Sequence, residues 1–471
     1  MARPVLRSAP DLFPPRDRRR ERRLRLLRIL LAVVAFAIAA VLLAAAWLSY
    51  RLLRSRPLLD GEVAVVELEA PVRIERDALG VPSVTTESRL DASFALGFLH
   101  AQERFFQMDL LRRSAAGELA ALIGPSLRRY DREIRVHRFR QRAQRIVRSL
   151  QRSEHAEAYA RGVNAGLEAL GAAPFEYLVL RSTPQAWQAE DVILCVLAMY
   201  IDLQSTDGAV ESTWGVLADV LPEALVDLLA ARGSEWDAPL TGDAVQTPPL
   251  PAADVYDLRA APLRLGMLRS RRPGRSDPGR ALPDAGTSVW WSADGEAVTP
   301  GSNNWAVAGS LAVDGGAILA GDMHLGLAVP NIWYRASLSY TDSRGDSRTL
   351  TGVTFPGTPA LVSGSNGDVA WSFTNSMIDV SDLVLLEPVD GDPERYQTPS
   401  GPLRPVRSIE VIEIRGADDD TLLVLDTIWG PIVDRDHAGR RRAYRWVAHE
   451  VEAANFGLLD MEQARDLEEA I

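Results

Sequence analysis

The chain has no lysine: all 52 of its basic residues are arginine. That excludes a P-loop lysine, a Ser–Lys dyad and a Schiff-base lysine. There is one cysteine, Cys195, inside an apolar run. No internal disulfide can form, and a small buried thiol is its expected role. No G-x-S-x-G elbow occurs, and His449-Glu450 lacks the second histidine of a zinc helix motif. Several hydrolase chemistries are therefore closed to this chain. Basic charge is unevenly spread. Residues 1–28 carry ten Arg against three acids, and the whole chain is −11, which leaves −18 on residues 29–471. An acidic body of that size argues against nucleic acid as a partner.

What is present is a folded chain with ample material for a core: 471 residues, 47% hydrophobic and 24% charged. Such a length allows two or three domains, or one large one. Ile29 to Leu48 holds no charge. As a helix it would span ~30 Å, the thickness of a bilayer core. Arginines crowd its N-terminal side, which keeps that end cytoplasmic and sends the body across. Trp47 and Tyr50 fall where an interfacial aromatic belt would lie. Ala44-Ala45-Ala46 offers a signal-peptide cleavage site as the rival reading, but the run is longer than a usual signal core.

Val63–Val72 alternates loosely and reads as a strand, followed by the turn Leu79-Gly80-Val81-Pro82. A helix is expected next, with Ser88 as N-cap and Asp91 at its third position. Leu90, Phe94, Phe98, Ala101, Phe105 and Met108 form its apolar stripe, and Gln102, Glu103, Gln107, Arg112 and Arg113 its solvated face. More helix is expected at Ala156–Leu170, and Pro184-Gln185-Ala186-Trp187 then leads into Glu190-Asp191 and the apolar run Val192–Tyr200. Glu211 follows in a polar stretch and by itself reads as a surface acid. Residues 240–300 are rich in Arg, Pro, Gly and Asp and read as a linker. Beyond them, apolar stretches become short and turn-bounded: Trp305–Val307, Ala317–Ala320, Trp333–Ser339, Leu361–Val362, Val369–Phe373, Leu383–Leu386, Ile409–Ile414 and Leu422–Ile428. This is the pattern of antiparallel sheets. Met461–Ile471 reads as helix.

One hexapeptide organises the rest: Pro300-Gly301-Ser302-Asn303-Asn304-Trp305. Gly301 leaves the next peptide bond uncovered. Ser302 there could attack its own preceding carbonyl, shift the chain onto its hydroxyl and become a new N-terminus. An α-amino group, with a pKa of ~7.7–8.0, can then serve as the serine's general base. The same residues are also ordinary turn residues.

Ser302-Asn303-Asn304-Trp305 resembles the start of the β-chain of the penicillin acylase family of N-terminal nucleophile hydrolases. Pro356-Gly357, Gly364-Ser365-Asn366-Gly367 and Ala370-Trp371-Ser372-Phe373-Thr374 resemble that family's next block. Arg76-Asp77 with Gly80-Val81-Pro82, then Ala101-Gln102-Glu103-Arg104-Phe105-Phe106-Gln107-Met108, Arg112-Arg113-Ser114, and Pro184 with Trp187 and Asp191, are similar to its α-chain. The resemblance runs in order from about residue 63 to about residue 440.

The resemblance implies an α+β fold, an αββα sandwich of antiparallel sheets with a helical α-chain, here preceded by a transmembrane helix. It implies self-cleavage between Gly301 and Ser302, with Ser302 as nucleophile and its freed amine as base acting through a water. The backbone N–H of Asn375 maps to one oxyanion donor. His324 stands where cephalosporin and acyl-homoserine-lactone acylases carry a histidine that bonds the N-terminal serine. Asp379, Asp382 and the carbonyl of Ser381 fall on the family's calcium positions, with Glu211 as the α-chain ligand, a hard-oxygen set suited to Ca²⁺. No organic cofactor is implied.

The expected organisation is a basic cytoplasmic tail (1–28), an anchor or signal (29–48), an α-chain region (57–240), a spacer (241–301) and the N-terminal part of a β-chain (302–471). The expected function is hydrolysis of the amide of an N-acylated small molecule, such as a β-lactam or an acyl-homoserine lactone. The active body would be held outside the cytoplasm, with α- and β-chains of one precursor associated. The alternative is a non-catalytic, membrane-tethered binding protein that keeps the fold. The family's second oxyanion donor, an asparagine, lies further past the nucleophile than the 169 residues this chain has. The chain is therefore expected to be C-terminally incomplete.

Overall fold

The computed structural model describes residues 18–257 and 301–471, apart from positions 67, 205, 232, 234, 235, 238, 240, 244, 245, 343, 376 and 377. Most of the expected spacer, residues 258–300, lies outside the described residues. Ten helices are described before it: α1 (Arg18–Arg54), α2 (Arg89–Ala116), α3 (Leu119–Ile123), α4 (Arg128–Arg135), α5 (Phe139–Ser149), α6 (Ser153–Ala169), α7 (Phe175–Leu180), α8 (Ala189–Leu203), α9 (Ala209–Val220) and α10 (Glu223–Leu229). Strands β1 (Arg73–Arg76) and β2 (Pro82–Thr85) precede α2.

After the spacer come β3 (Gly301–Val307), β4 (Ile318–His324), β5 (Tyr334–Thr341), β6 (Ser347–Thr354), β7 (Leu361–Ser365), β8 (Ala370–Trp371), β9 (Ser381–Leu385), β10 (Pro388–Val389), β11 (Asp392–Tyr396), β12 (Val406–Ile412), β13 (Asp420–Thr427), β14 (Gly430–Arg435) and β15 (Arg441–Trp446). The short helices α11 (Leu458–Met461) and α12 (Leu467–Ala470) close the chain.

α2 is the central element. Ser88 caps it, its hydroxyl accepting from the Asp91 amide at 3.0 Å, and Gly117 ends it in the left-handed region, donating back to the last turn. α6 packs on it at backbone contact. A Cβ at Gly162 would lie 1.9 Å from the Phe94 carbonyl oxygen, and one at Gly97 would lie 2.2 Å from that of Tyr159. α8 closes the other side, burying Val192, Ile193, Leu194, Cys195 and Leu197 in the same core.

Two larger sheets carry the later half. A six-stranded sheet runs β1-β2-β5-β6-β7-β8. Its β2–β5 pair is parallel, with Ser83 opposite Ser337, so the entrance to the helical half is stitched into the sheet of the later half. A five-stranded antiparallel sheet runs β12-β13-β14-β15-β9. Two hairpins, β3–β4 and β10–β11, stand apart as two-stranded ladders.

Four expectations are corrected. The described residues of Val63–Val72 are irregular; regular pairing begins at Arg73, just past Pro71, because proline gives no N–H to a ladder. β6, β11, β14 and β15 carry too many Arg, Thr, Asp and Glu to read as apolar runs, yet β6 lies between β5 and β7 in the larger sheet. Met461–Ile471 is not one helix: α11 ends at Met461, turns follow, and only Leu467–Ala470 is helical. The polar residues of α2 are not a solvated face: Gln102, Gln107, Asp109, Arg112 and Arg113 are all buried. Asp109 accepts from Arg112 Nε at 2.7 Å, Arg113 Nε at 3.0 Å and the Tyr177 hydroxyl at 2.5 Å, while Arg112 also reaches Asp191 at 2.7 Å. Each buried charge is thereby paired, as burial requires.

Candidate active site

Ser302 lies on the hairpin β3–β4. The ladder sets Gly301 opposite His324, Ser302 opposite Met323, Asn303 opposite Asp322 and Asn304 opposite Gly321. Ser302 and His324 come onto neighbouring strands but one register position apart, so Met323 shares the face of Ser302 and His324 lies on the opposite face. His324 Nε2 lies 3.0 Å from Asp322 Oδ2 on its own strand. This carboxylate can hold the imidazole in one tautomer and orientation.

The segment that bears Asn375 follows β8. Trp371 anchors it: its ring is buried, its Nε1 donates to the Leu361 carbonyl at 3.2 Å, and its own carbonyl accepts from the Ser363 hydroxyl at 3.1 Å. The Ser302 hairpin meets this segment at Ser372. Asn304 Nδ2 donates to the Ser372 carbonyl at 2.8 Å. A Cβ at Gly321 would sit 1.9 Å from Ser372 Oγ, so β4 has come as close as a glycine permits.

The residues expected to hold calcium are partly gathered. Glu211 lies in the first turn of α9, and its Oε1 accepts from the Ser381 hydroxyl, at the start of β9, at 3.2 Å. Glu211 Oε2 is buried with no hydrogen-bond partner. Asp382 is next along β9, its Oδ1 accepting from the Leu383 amide at 2.7 Å. Asp379 is exposed in the preceding loop. The Tyr444 hydroxyl, near this group, is pushed up to about 12 by burial and by the charges of Glu211 and Asp207. An orphaned carboxylate oxygen beside a hydroxyl, in a negative field, fits a hard cation. Glu211, Asp379 and Asp382 do not themselves form a tight three-carboxylate cluster. Two carboxylates and an imidazole, Asp219, Asp436 and His437, do lie close together, but there Arg440 pairs with both carboxylates and supplies the positive charge.

Two buried histidine arrangements gave no signal in the sequence. His100, at the centre of α2, sits between Tyr159 and Thr354. The Thr354 hydroxyl donates to the Tyr334 carbonyl at 3.0 Å, so its oxygen accepts from His100 Nε2 at 2.9 Å. His100 Nδ1 then accepts from the Tyr159 hydroxyl at 2.6 Å, whose oxygen accepts from the Gly357 amide at 2.8 Å. The neutral imidazole satisfies every partner, and burial takes its pKa down to about 3. His137 Nδ1 lies 3.0 Å from His449 Nε2, 312 residues away, packed among Phe139, Tyr444 and Trp446. Burial lowers both, His137 to about 3.

The sequence pattern of the penicillin amidase family matches residues 71–471. The acyl-homoserine lactone acylase QuiP of Pseudomonas aeruginosa is 30% identical over 90% of this chain and 49% of its own length. Penicillin acylase 2 proenzyme of Pseudomonas sp. (strain SE83) is 29% identical over 81% of this chain and 46% of its own. A thermostable penicillin G acylase structure from Alcaligenes faecalis aligns over 37% of this chain and 98% of that one, with 28% identity and a TM-score of 0.32. The chain spans about half the length of the curated relatives it matches. Its mixed helices and sheets are those of the N-terminal nucleophile hydrolase fold of penicillin acylases. With the family pattern covering all but the first 70 residues, the chain belongs to the penicillin amidase family.

Proposed function

We propose that this chain is part of an acylase precursor that cleaves itself between Gly301 and Ser302 and then hydrolyses the amide of an N-acylated small molecule. The observation that carries the reading is the docking of the Ser302 strand onto the segment leading to Asn375 through Asn304 and Gly321. In self-cleavage, Ser302 Oγ attacks the Gly301 carbonyl carbon. The chain moves from nitrogen to oxygen, which frees the α-amine, and water then hydrolyses the ester to the Gly301 carboxylate and the Ser302 hydroxyl. In turnover, Oγ attacks the substrate carbonyl, its proton passes to that amine and on to the leaving nitrogen, and water then hydrolyses the acyl-enzyme. The Asn375 N–H would hold the oxyanion, a donor of a kind worth about 2.7–4 kcal/mol. His324, steadied by Asp322, would orient the N-terminal serine once cleavage frees residue 302 to leave the register that sets the two side chains on opposite faces. The acyl-homoserine-lactone and penicillin acylases among the relatives support substrates of those two classes.

Residues 57–240 and 302–471 would become the associated α- and β-chains. The αββα layering belongs to the same reading. Glu211, Ser381, Asp382 and Asp379 would hold a structural Ca²⁺ that ties α9 to β9. α1, whose most apolar stretch is exposed and has a mean hydropathy of 3.0, would anchor the body outside the cytoplasm. The test is intact mass and N-terminal sequencing of the full-length protein. Two chains, one starting Ser302-Asn303-Asn304-Trp305, are expected, with Ser302→Ala as a single uncut chain. A wild-type protein that stays uncut removes the general base, and the tethered binding protein becomes the reading.

A further inference from the structure

Ser302 and Asn304 are two apart on β3, so they share one face of the hairpin, and Gly321, opposite Asn304, shares it too. That face meets Ser372 at a single register position. Asn304 contributes a hydrogen bond to the Ser372 carbonyl. Gly321 contributes an approach so close that Ser372 Oγ and Cβ would lie 1.9 and 2.7 Å from an added Cβ. Ser372 Oγ is buried there without a hydrogen-bond partner, which is a sacrifice that only tight packing explains. No residue described in β3 or β4 is buried, and a two-stranded hairpin is only marginally stable by itself. The docking at Asn304 and Gly321 therefore bears on how Ser302 is held toward the segment ending at Asn375.

We propose that Asn304 is a positioning residue. Its side-chain amide fixes the nucleophile strand against Ser372–Asn375, and the absence of a side chain at Gly321 permits the approach. An amide is required for a chemical reason. The partner is a carbonyl, which only accepts, so position 304 must donate. Aspartate has the same shape but would set one acceptor against another. Asn304 itself is exposed, so losing its bond should move the reacting groups without unfolding the protein.

This inference rests on the proposed acylase reading, and the experiment separates the two. Full-length wild type, Asn304→Asp, Gly321→Ala, Ser372→Gly and the Gly321→Ala/Ser372→Gly pair are compared. The readouts are the fraction cut at Gly301–Ser302, kcat and KM on an acyl p-nitroanilide, and Tm. Asn304→Asp is expected to keep Tm within about 2 °C. It should lower either the fraction cut or kcat at least tenfold while KM moves less than twofold. Gly321→Ala should do the same, and adding Ser372→Gly should restore at least half of the loss, because it removes both clashing atoms. An Asn304→Asp protein within twofold of wild type in cutting and kcat overturns the proposal. So does a Gly321→Ala defect that Ser372→Gly leaves untouched. If wild type itself is uncut, the acylase reading falls and this inference falls with it.

Discussion

In α2, 22 of 28 residues are buried, including Asp91, His100, Asp109 and Arg112, whereas no residue described in β3 or β4 is. Helix and hairpin lie in one chain and both carry polar side chains at meaningful positions. In α2 those side chains are locked by low dielectric and by partners such as Asp191, Tyr177 and Thr354. An unpaired group there is expensive, so the helix has one arrangement. In the hairpin, Ser302, Asn304 and His324 stay in contact with solvent, and a few weak contacts set their geometry. Regions that must react are drawn from the less stable end of a fold. The comparison teaches that substitutions in α2 should be read in stability and those in the hairpin in chemistry.

Acid should stress that distinction most. His100, His137 and His449 are buried neutral, and His155, against Ser93, is lowered to about 4 mainly by burial. Arg104 faces His100, Arg142 faces the His137–His449 pair, and Arg89 and Arg152 face His155; all oppose a further positive charge. The unfolded chain takes up these protons below pH ~6.5, while the folded one does not. The stabilisation is therefore complete above that pH and is lost as pH falls toward 3. Between pH 6.5 and 5, His100 and His137 alone should remove on the order of 4 kcal/mol, a large share of a typical 5–15 kcal/mol. Calorimetry at pH 7.5, 6 and 5 checks this. A flat Tm would mean that these histidines are not held neutral.

Asp109→Asn is the next largest. It leaves Arg113 without its carboxylate and Arg112 with only Asp191. Breaking a buried pair by removing one partner typically costs about 3–5 kcal/mol. Urea unfolding should show a loss of that order, with the slope unchanged. Gly162→Ala follows. Its Cβ meets backbone at Phe94, which cannot rotate away, so α6 must shift off α2. About 1–3 kcal/mol is expected for such overpacking. Either variant behaving as neutral would remove the rigid half of the comparison.

The two regions were also unequally legible. Ser88, the turn at Gly80 and the runs that became α2, α6 and α8 are local signals, and local signals survive in sequence. The burial of Arg112 is not local: its partners at Gln185, Ala186 and Asp191 lie 73 to 79 residues on. Asp109, three residues back, is a local partner, but a charge whose other partners come only through the tertiary fold reads as a surface charge. β6 was missed for a related reason, since Arg348, Thr349, Thr351 and Thr354 look polar yet pair along β5. For the site, the hexapeptide pointed to Ser302, and its resemblance to a family pointed to His324, Asn375 and Glu211. The sequence offered no reason to pair Gly321 with Ser372, because a glycine's close contact leaves no compositional mark.

The smallest expected effect on stability is the sharpest test of the comparison. Asn304→Ala removes one hydrogen bond on an exposed side chain. Water can replace the lost partner at both ends, so the net change should be about 1 kcal/mol or less. Measured beside Gly162→Ala in the same urea series, it should fall clearly below it. If Asn304→Ala matched Gly162→Ala instead, the hairpin would be unfolding with the core as one cooperative unit. Ser302 would then owe its position to the whole fold, and the docking at Ser372 would be a consequence of that order rather than its source.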